Sequence, residues 1–94
     1  MDKIYRYEFI VFGVVQGVGM RYFVKNLADT HGLVGWVNNQ PDGSLKIIAE
    51  GTKEILDIFC EKFKKGNGIA KVENISINKI LINKYSFAYF EIEP

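Results

Sequence analysis

The sequence predicts an α+β sandwich of two layers, in which two helices cover one face of a mostly antiparallel sheet. In the first segment an apolar residue recurs at every second position, as in a half-buried strand. Two later segments repeat their apolar residues at intervals of three and four, as helices do. A tight turn joins the two segments between those helices, and it predicts an antiparallel pair of strands.

The first strand is predicted over Ile4–Phe12, and a glycine-containing loop leads from it to the first helix. The strand places four residues on one face: Tyr5, Tyr7, Phe9 and Val11. The helix begins near Met20 and ends before Gly32, since glycine readily adopts the left-handed conformation that terminates helices. Its apolar face consists of Met20, Phe23, Val24, Leu27, Ala28 and His31.

The second and third strands are predicted over Leu33–Asn39 and Ser44–Glu50. Between them, Gln40–Gly43 has proline at its second position and glycine at its fourth, which favours a type I turn. A second helix is predicted to begin after Thr52, because a threonine hydroxyl can cap the first turn. Its apolar stripe consists of Leu56, Phe59, Cys60 and Phe63, and it ends near Lys64 and Lys65.

Two further strands are predicted at Ala70–Ile82 and Phe87–Ile92. The alternation in the longer strand slips between Ile77 and Ile80, which predicts a β-bulge there. The hairpin lets the third strand lie beside the first, and the order β-α-β-β-α-β with a short final strand is that of the ferredoxin-like sandwich. No repeat or linker interrupts this order, so residues 1–94 are expected to form one domain.

The composition of the chain argues against several classes of function. Twelve lysines and arginines against eleven aspartates and glutamates give a formal net charge of +1, so nucleic-acid binding is not expected. No segment approaches the roughly 20 apolar residues of a membrane span, and no signal peptide is recognisable. The single cysteine, Cys60, predicts no internal disulfide. We expect a cytoplasmic protein, a monomer, with no membrane attachment.

The loop from Gly13 to Gly19 has the features of an anion site. Its three glycines lie between a strand and the start of a helix, where backbone N–H groups lack partners and the helix dipole is positive. Arg21 falls in the first turn of that helix, a position that costs a cation ~0.3–1 kcal/mol. A bound anion would offset this cost. The alternative is a tight structural turn followed by a solvated arginine.

Two motifs resemble those of the acylphosphatase family. Gly13–Arg21 reads Gly-Val-Val-Gln-Gly-Val-Gly-Met-Arg and resembles the signature Gly-x-Val-Gln-Gly-Val-x-Phe-Arg, in which methionine sometimes replaces phenylalanine. Gly35–Gly43 reads Gly-Trp-Val-Asn-Asn-Gln-Pro-Asp-Gly and resembles the second block, Gly-Trp-Val-x-Asn followed by a short turn and glycine. The resemblance extends over essentially the whole chain. It implies an enzyme that hydrolyses small acyl phosphates to a carboxylate and inorganic phosphate, its product and inhibitor.

The resemblance also implies the roles of individual residues. Arg21 and the amides of the loop would bind the phosphate, and Asn39 would position the attacking water. The phosphate-binding loop comprises Val15, Gln16, Gly17, Val18, Gly19 and Met20. The chain departs from the family at Asn38, where many members have lysine, and at 66–70, which lacks the prolines of relatives.

These residue types suit the reaction. An acyl phosphate releases a carboxylate whose conjugate acid has a pKa of about 4, so the leaving group needs no proton. The only histidine, His31, lies about 15 Å beyond Arg21 along the helix and is expected to be structural or solvated. Arginine can donate two parallel hydrogen bonds to phosphate, and an asparagine amide can both donate and accept. No side-chain base is evident, which leaves the substrate's own phosphate as proton acceptor.

No metal or other cofactor is expected. Asp29, Asp42 and Glu50 lack the spacing of metal ligands and are interpreted as surface charges. The third strand lacks the aromatic residues of an RNA-recognition domain, and a metal chaperone of this fold would need paired cysteines. The remaining alternative is a non-catalytic module of the same fold that binds an anion or a partner protein.

Overall fold

The computed structural model describes residues 2–94, which form five strands and two helices. In chain order these are β1 (Ile4–Val14), α1 (Met20–Thr30), β2 (Val34–Asn39), β3 (Leu45–Thr52), α2 (Lys53–Phe63), β4 (Lys71–Ile82) and β5 (Phe90–Ile92). The strand order across the sheet is β4-β1-β3-β2-β5, and neighbouring strands are antiparallel except for β2 and β5. The predicted α+β ferredoxin-like fold is confirmed.

Both helices pack on the sheet face that carries Phe9. The Phe9 ring lies 6.1 Å from the ring of Phe59 and 5.1 Å from that of Phe63, both on α2. Val24 and Ala28 of α1 are fully buried in the same apolar cluster. Burial of each large apolar side chain stabilises the fold by about 1.5–3 kcal/mol, so this layer contact holds the helices on the sheet.

The irregularity in β4 lies nearer the start of that strand than predicted. Its register against β1 shifts between Phe12 and Gly13, where Glu73 has no partner, and pairing continues regularly through Ile77 and Ile80. Ile77 faces the helices and Ile80 the opposite side, because side chains alternate along a regular strand. The slip in the sequence is therefore a change of apolar face within a regular strand, and the predicted position of the bulge was wrong.

Glu50 is fully buried, so its interpretation as a surface charge was wrong. It lies on the sheet face opposite the helices, where Nε of Arg6 donates to its Oε2 at 2.9 Å. The backbone N–H of Ser86 donates to its other oxygen at 2.7 Å. Ser86 belongs to the segment that crosses from β4 to β5, and this crossing delays the start of the last strand from the predicted Phe87 to Phe90.

Candidate active site

The predicted loop and the predicted asparagine meet at one end of the sheet. A pocket of about 130 Å³ lies between the loop after β1, the first turn of α1 and the end of β2. It is lined by Val15, Gly17, Gly19, Met20, Arg21, Tyr22 and Asn39. Of the residues predicted for the site, Gln16 and Val18 do not line it.

The backbone of the loop has the form of an anion-binding nest. Gly17 and Gly19 have φ angles of 73° and 74°, in the left-handed region, whereas Val18 between them does not have a positive φ. Alternation of this kind turns successive N–H groups toward a common point. Glycine is needed at both positions because an L side chain is strained there.

The N-terminus of α1 is open toward the same pocket. Its N-cap residue, Gly19, provides no side-chain hydrogen bond, and the first turn contains no acidic residue. Arg21, in that turn, forms no salt bridge with any of residues 2–94. The other arginine of the chain, Arg6, is paired with buried Glu50. The helix dipole and one uncompensated guanidinium therefore both favour an anion in this pocket.

Three larger depressions offer no comparable positive site. One, of about 320 Å³, is lined by Lys64 and the start of β4, and Lys64 is paired with Glu61 at 3.1 Å. The second, of about 450 Å³, is lined by Lys25 and the start of β5, and Lys25 is paired with Asp29 at 2.8 Å. The third, of about 260 Å³, is lined by two lysines and by the carboxylates of Asp2 and Glu54. Because carboxylates accompany the lysines in all three, the smaller pocket beside α1 is the better anion site.

Asn39 is the last residue of β2, and alternation along the strand places it on the same face as buried Val37, toward α1. Its Oδ1 atom is buried and accepts no hydrogen bond from the described residues. Buried polar atoms almost always have a partner, so this oxygen is available to a bound ligand or water. Asn38 lies on the opposite face, where its side chain accepts a hydrogen bond from that of Gln40.

The side chain of Gln16 ties the loop to the hairpin turn that follows Asn39. Its Nε2 donates to the carbonyl oxygens of Gln40 at 2.8 Å and Ser44 at 2.9 Å. The turn itself is closed, as predicted, by a hydrogen bond from the N–H of Gly43 to the Gln40 carbonyl at 3.1 Å. The sequence predicted only a backbone role for Gln16, since the partners of its side chain lie 24 and 28 positions away.

The hairpin turn is further braced by Asp42, which remains exposed. Its Oδ1 accepts hydrogen bonds from the hydroxyl of Ser44 at 2.6 Å and the N–H of Ser44 at 2.9 Å. These two bonds hold the pKa of Asp42 below its usual value. The segment that carries Asn39 into the pocket is therefore fixed by its own local hydrogen bonds.

Gly13 belongs to β1, which continues to Val14 instead of ending at the predicted Phe12. A Cβ atom at this position would lie 2.0 Å from the carbonyl oxygen of Lys71 on the neighbouring strand. The glycine is therefore required by the close approach of β4 at the bulge, and the loop itself spans residues 15–19.

Two residues beside the loop were not singled out by sequence analysis. Asn67, in the link between α2 and β4, donates from Nδ2 to the carbonyl oxygen of Val18 at 2.7 Å. Tyr22 lines the pocket, yet 66% of it is exposed. The only sequence signal for Asn67 is its place in residues 66–70, which depart from the family pattern.

Other candidate groups lie outside the pocket. Nε2 of His31 lies 3.2 Å from Nζ of Lys62, beyond the C-terminal end of α1. Among residues 2–94, no three His, Cys, Asp or Glu side chains are grouped so that they could hold a metal ion. Within the same range no helix is both long and apolar enough to cross a membrane.

Comparison with known proteins identifies the family. The acylphosphatase family model matches residues 7–92. The acylphosphatase of Bacillus subtilis strain 168 is 47% identical over 74 residues, which are 79% of this chain and 81% of that protein. The acylphosphatase of Acaryochloris marina is 38% identical over 92 residues, 98% of this chain and 97% of that one.

A solved structure supports the same family. The crystal structure of acylphosphatase from Bacillus subtilis superimposes with a TM-score of 0.90 at 41% identity, covering 96% of this chain and 99% of that one. The chain therefore belongs to the acylphosphatase family. The activity that the two motifs implied, hydrolysis of small-molecule acyl phosphates, is confirmed at the level of the enzyme class.

Proposed function

We propose that the pocket beside α1 holds the phosphoryl group of an acyl phosphate. Arg21 and the loop amides bind the phosphoryl oxygens, and Asn39 positions the attacking water. The observation that carries this proposal is the buried, unpartnered Oδ1 of Asn39 in the same pocket as Arg21. A buried acceptor without a partner costs stability, and a catalytic water that donates to it accounts for its presence.

The proposed reaction is a single displacement at phosphorus. Water donates one hydrogen bond to Oδ1 of Asn39, and its oxygen attacks phosphorus in line with the bond to the acyl oxygen. That bond breaks, and its electron pair leaves with the carboxylate, which needs no proton. The proton of the attacking water passes to a phosphoryl oxygen, which yields inorganic phosphate. The chemistry requires positioning and charge stabilisation, and the pocket offers residues for both.

The positive groups of the pocket stay in contact with the phosphoryl oxygens while charge redistributes over them. The amides of the nest and of the first turn of α1 have fixed orientations, so they need no reorganisation during the reaction. Arg21 can add two parallel, charge-assisted hydrogen bonds. Inorganic phosphate makes the same contacts, so we expect it to act as a product and a competitive inhibitor. Tyr22, at the mouth of the pocket, is placed to contact the acyl group.

Further properties belong to the same proposal. Residues 1–94 act as one domain, supported by an apolar cluster that joins both helices to the sheet within residues 2–94. The protein works as a cytoplasmic monomer without a metal or other cofactor. Gel filtration, cell fractionation and assays in a chelator test these statements separately.

The function is tested by hydrolysis of acetyl and benzoyl phosphate, with and without a chelator. We expect the same rate in both conditions. Asn39→Ala should lower kcat about 10²- to 10³-fold, the usual effect of removing one group that acts on the transition state. Inhibition by inorganic phosphate should stay within about twofold of the wild type, because phosphate binds to Arg21 and the loop.

Each outcome against this expectation has a distinct meaning. Loss of activity in the chelator, restored by a divalent ion, would contradict the metal-free reaction. Weaker phosphate inhibition in step with turnover would reassign Asn39 to phosphate binding. Phosphate binding with no hydrolysis of either substrate would favour the non-catalytic anion-binding module.

A further inference from the structure

We propose that Asn67 is a positioning residue that holds the phosphate loop in its anion-binding conformation; this inference rests on the proposed function. Asn67 lies 49 positions from Val18, and its Nδ2 donates to the Val18 carbonyl oxygen at 2.7 Å. Its Oδ1 accepts from the N–H groups of Ile69 at 3.1 Å and Ala70 at 2.9 Å. The Asn67 side chain therefore stabilises the link between α2 and β4 and also binds the phosphate-binding loop.

The orientation of one peptide unit explains why this grip matters for an anion. The described residues contain no cis peptide bond, so the N–H of Gly19 points away from the carbonyl of Val18 in the same planar unit. Asn67 draws the carbonyl toward itself and does not line the pocket, whereas Gly19 does. The hydrogen bond keeps a partial negative charge turned away from the bound phosphate and directs a donor away from Asn67.

The loop needs an external tether because its glycines do not define its conformation by themselves. Gly17 and Gly19 can adopt positive and negative φ with similar ease, so the isolated loop would populate several conformations. Gln16 fixes one side by its bonds to the hairpin turn, and Asn67 fixes the carbonyl in the middle of the loop. A loop fixed before binding loses less conformational entropy when phosphate binds.

The proposal predicts a specific kinetic pattern. The loop amides contact phosphate in the substrate, the transition state and the product alike, so loosening the loop weakens all three interactions together. The inhibition constant for inorganic phosphate and KM should rise by a similar factor, with a small change in kcat. A residue that only stabilised the α2–β4 link would instead lower the unfolding temperature and leave phosphate affinity unchanged.

Two substitutions separate the hydrogen bond to Val18 from the hydrogen bonds that Asn67 forms within its own loop. Asn67→Ala removes all three hydrogen bonds, whereas in Asn67→Ser the hydroxyl can still accept from the N–H two residues on but is too short to reach Val18. We expect both variants to raise the phosphate inhibition constant about three- to tenfold, the effect of one lost hydrogen bond. Asn67→Ala should have the lower unfolding temperature of the two. Asn83→Ala, at an exposed asparagine after β4, is the control and should match wild type.

Stabilisation of wild type and Arg21→Ala by phosphate, measured by thermal unfolding, tests the phosphate site separately from the role of Asn67. If phosphate stabilises wild type and not Arg21→Ala, the phosphate site stands. Unchanged inhibition in both Asn67 variants would then overturn the positioning role alone. If phosphate stabilises wild type and Arg21→Ala equally, or neither, the proposed site itself is wrong. A rise in the inhibition constant of Asn83→Ala equal to that of the Asn67 variants would also overturn the role of Asn67.

Discussion

The two helices have the same length of eleven residues, yet their N-termini are built in opposite ways. At α2, the Thr52 hydroxyl accepts from the N–H of Ile55 at 3.5 Å, and Glu54 places a negative charge in the first turn. At α1, Gly19 provides no cap, and the charge in the first turn is that of Arg21. Four N–H groups at the start of any helix lack internal partners. A side chain satisfies one of them at α2 and none at α1.

The capped N-terminus of α2 stabilises its helix, whereas the uncapped N-terminus of α1 is suited to binding an anion. A capping side chain and a carboxylate each stabilise a helix by up to about 1 kcal/mol, and α1 lacks both. The structure compensates elsewhere, with Val24 and Ala28 fully buried. An open N-terminus beside a nest costs a little stability and keeps its donors for an anion.

The largest effect is expected on catalysis at the α1 end. Arg21→Ala should lower kcat/KM for benzoyl phosphate about 10³- to 10⁵-fold, the range seen for arginines that stabilise phosphoryl transfer. Arg21→Lys should recover only part of this loss, because an ammonium group cannot form the planar bidentate contact. Steady-state kinetics measures both. Thr52→Ala is the control and should retain full activity. A loss below about tenfold in Arg21→Ala would show that the arginine is not the phosphate anchor.

An intermediate effect is expected on the stability that an anion confers. Inorganic phosphate at about a hundred times its dissociation constant should stabilise wild type by ~2.7 kcal/mol. Arg21→Ala should gain little at the same concentration. Without phosphate its unfolding temperature should equal or slightly exceed that of wild type, since the unfavourable contact with the helix dipole disappears.

Thermal unfolding in matched salts measures this effect. Sulfate should act like phosphate, and chloride at equal ionic strength should not, which separates binding from screening. Equal stabilisation of wild type and Arg21→Ala by phosphate would remove Arg21 from the site.

The smallest effect is expected at the capped end. Thr52→Ala should destabilise the fold by about 0.5–1 kcal/mol, toward the low end of the range for caps because its hydrogen bond is long. The stabilisation by phosphate should be unchanged, since Thr52 pairs with Ile4, at the end of β1 opposite the phosphate-binding loop. Urea unfolding of wild type and Thr52→Ala, with and without phosphate, measures both the loss of stability and the stabilisation by phosphate. A drop in phosphate stabilisation in this variant would mean that the two helix ends are coupled.

Much of the site could be predicted from the sequence because its parts are local. The αL glycines, the open helix start and Arg21 lie within five consecutive positions, so one stretch of chain contains the nest and its cation. Asn39 ends a strand whose alternation was visible. Its juxtaposition with Arg21 followed from the resemblance to the family and not from periodicity, and the roles of both residues stay predictions until the variants are measured.

By itself, the sequence determined the element order, the cap at Thr52 and the hairpin turn, because side-chain period and turn chemistry act over a few residues. Only the tertiary structure decided the burial of Glu50, the β-bulge beside Gly13 and the contact of Asn67 with Val18. Their partners lie tens of positions away in the chain, at 44 for Arg6 with Glu50 and 49 for Asn67 with Val18. A buried carboxylate and an exposed one have the same local sequence signature, since burial depends on which distant strand or crossing segment packs against it.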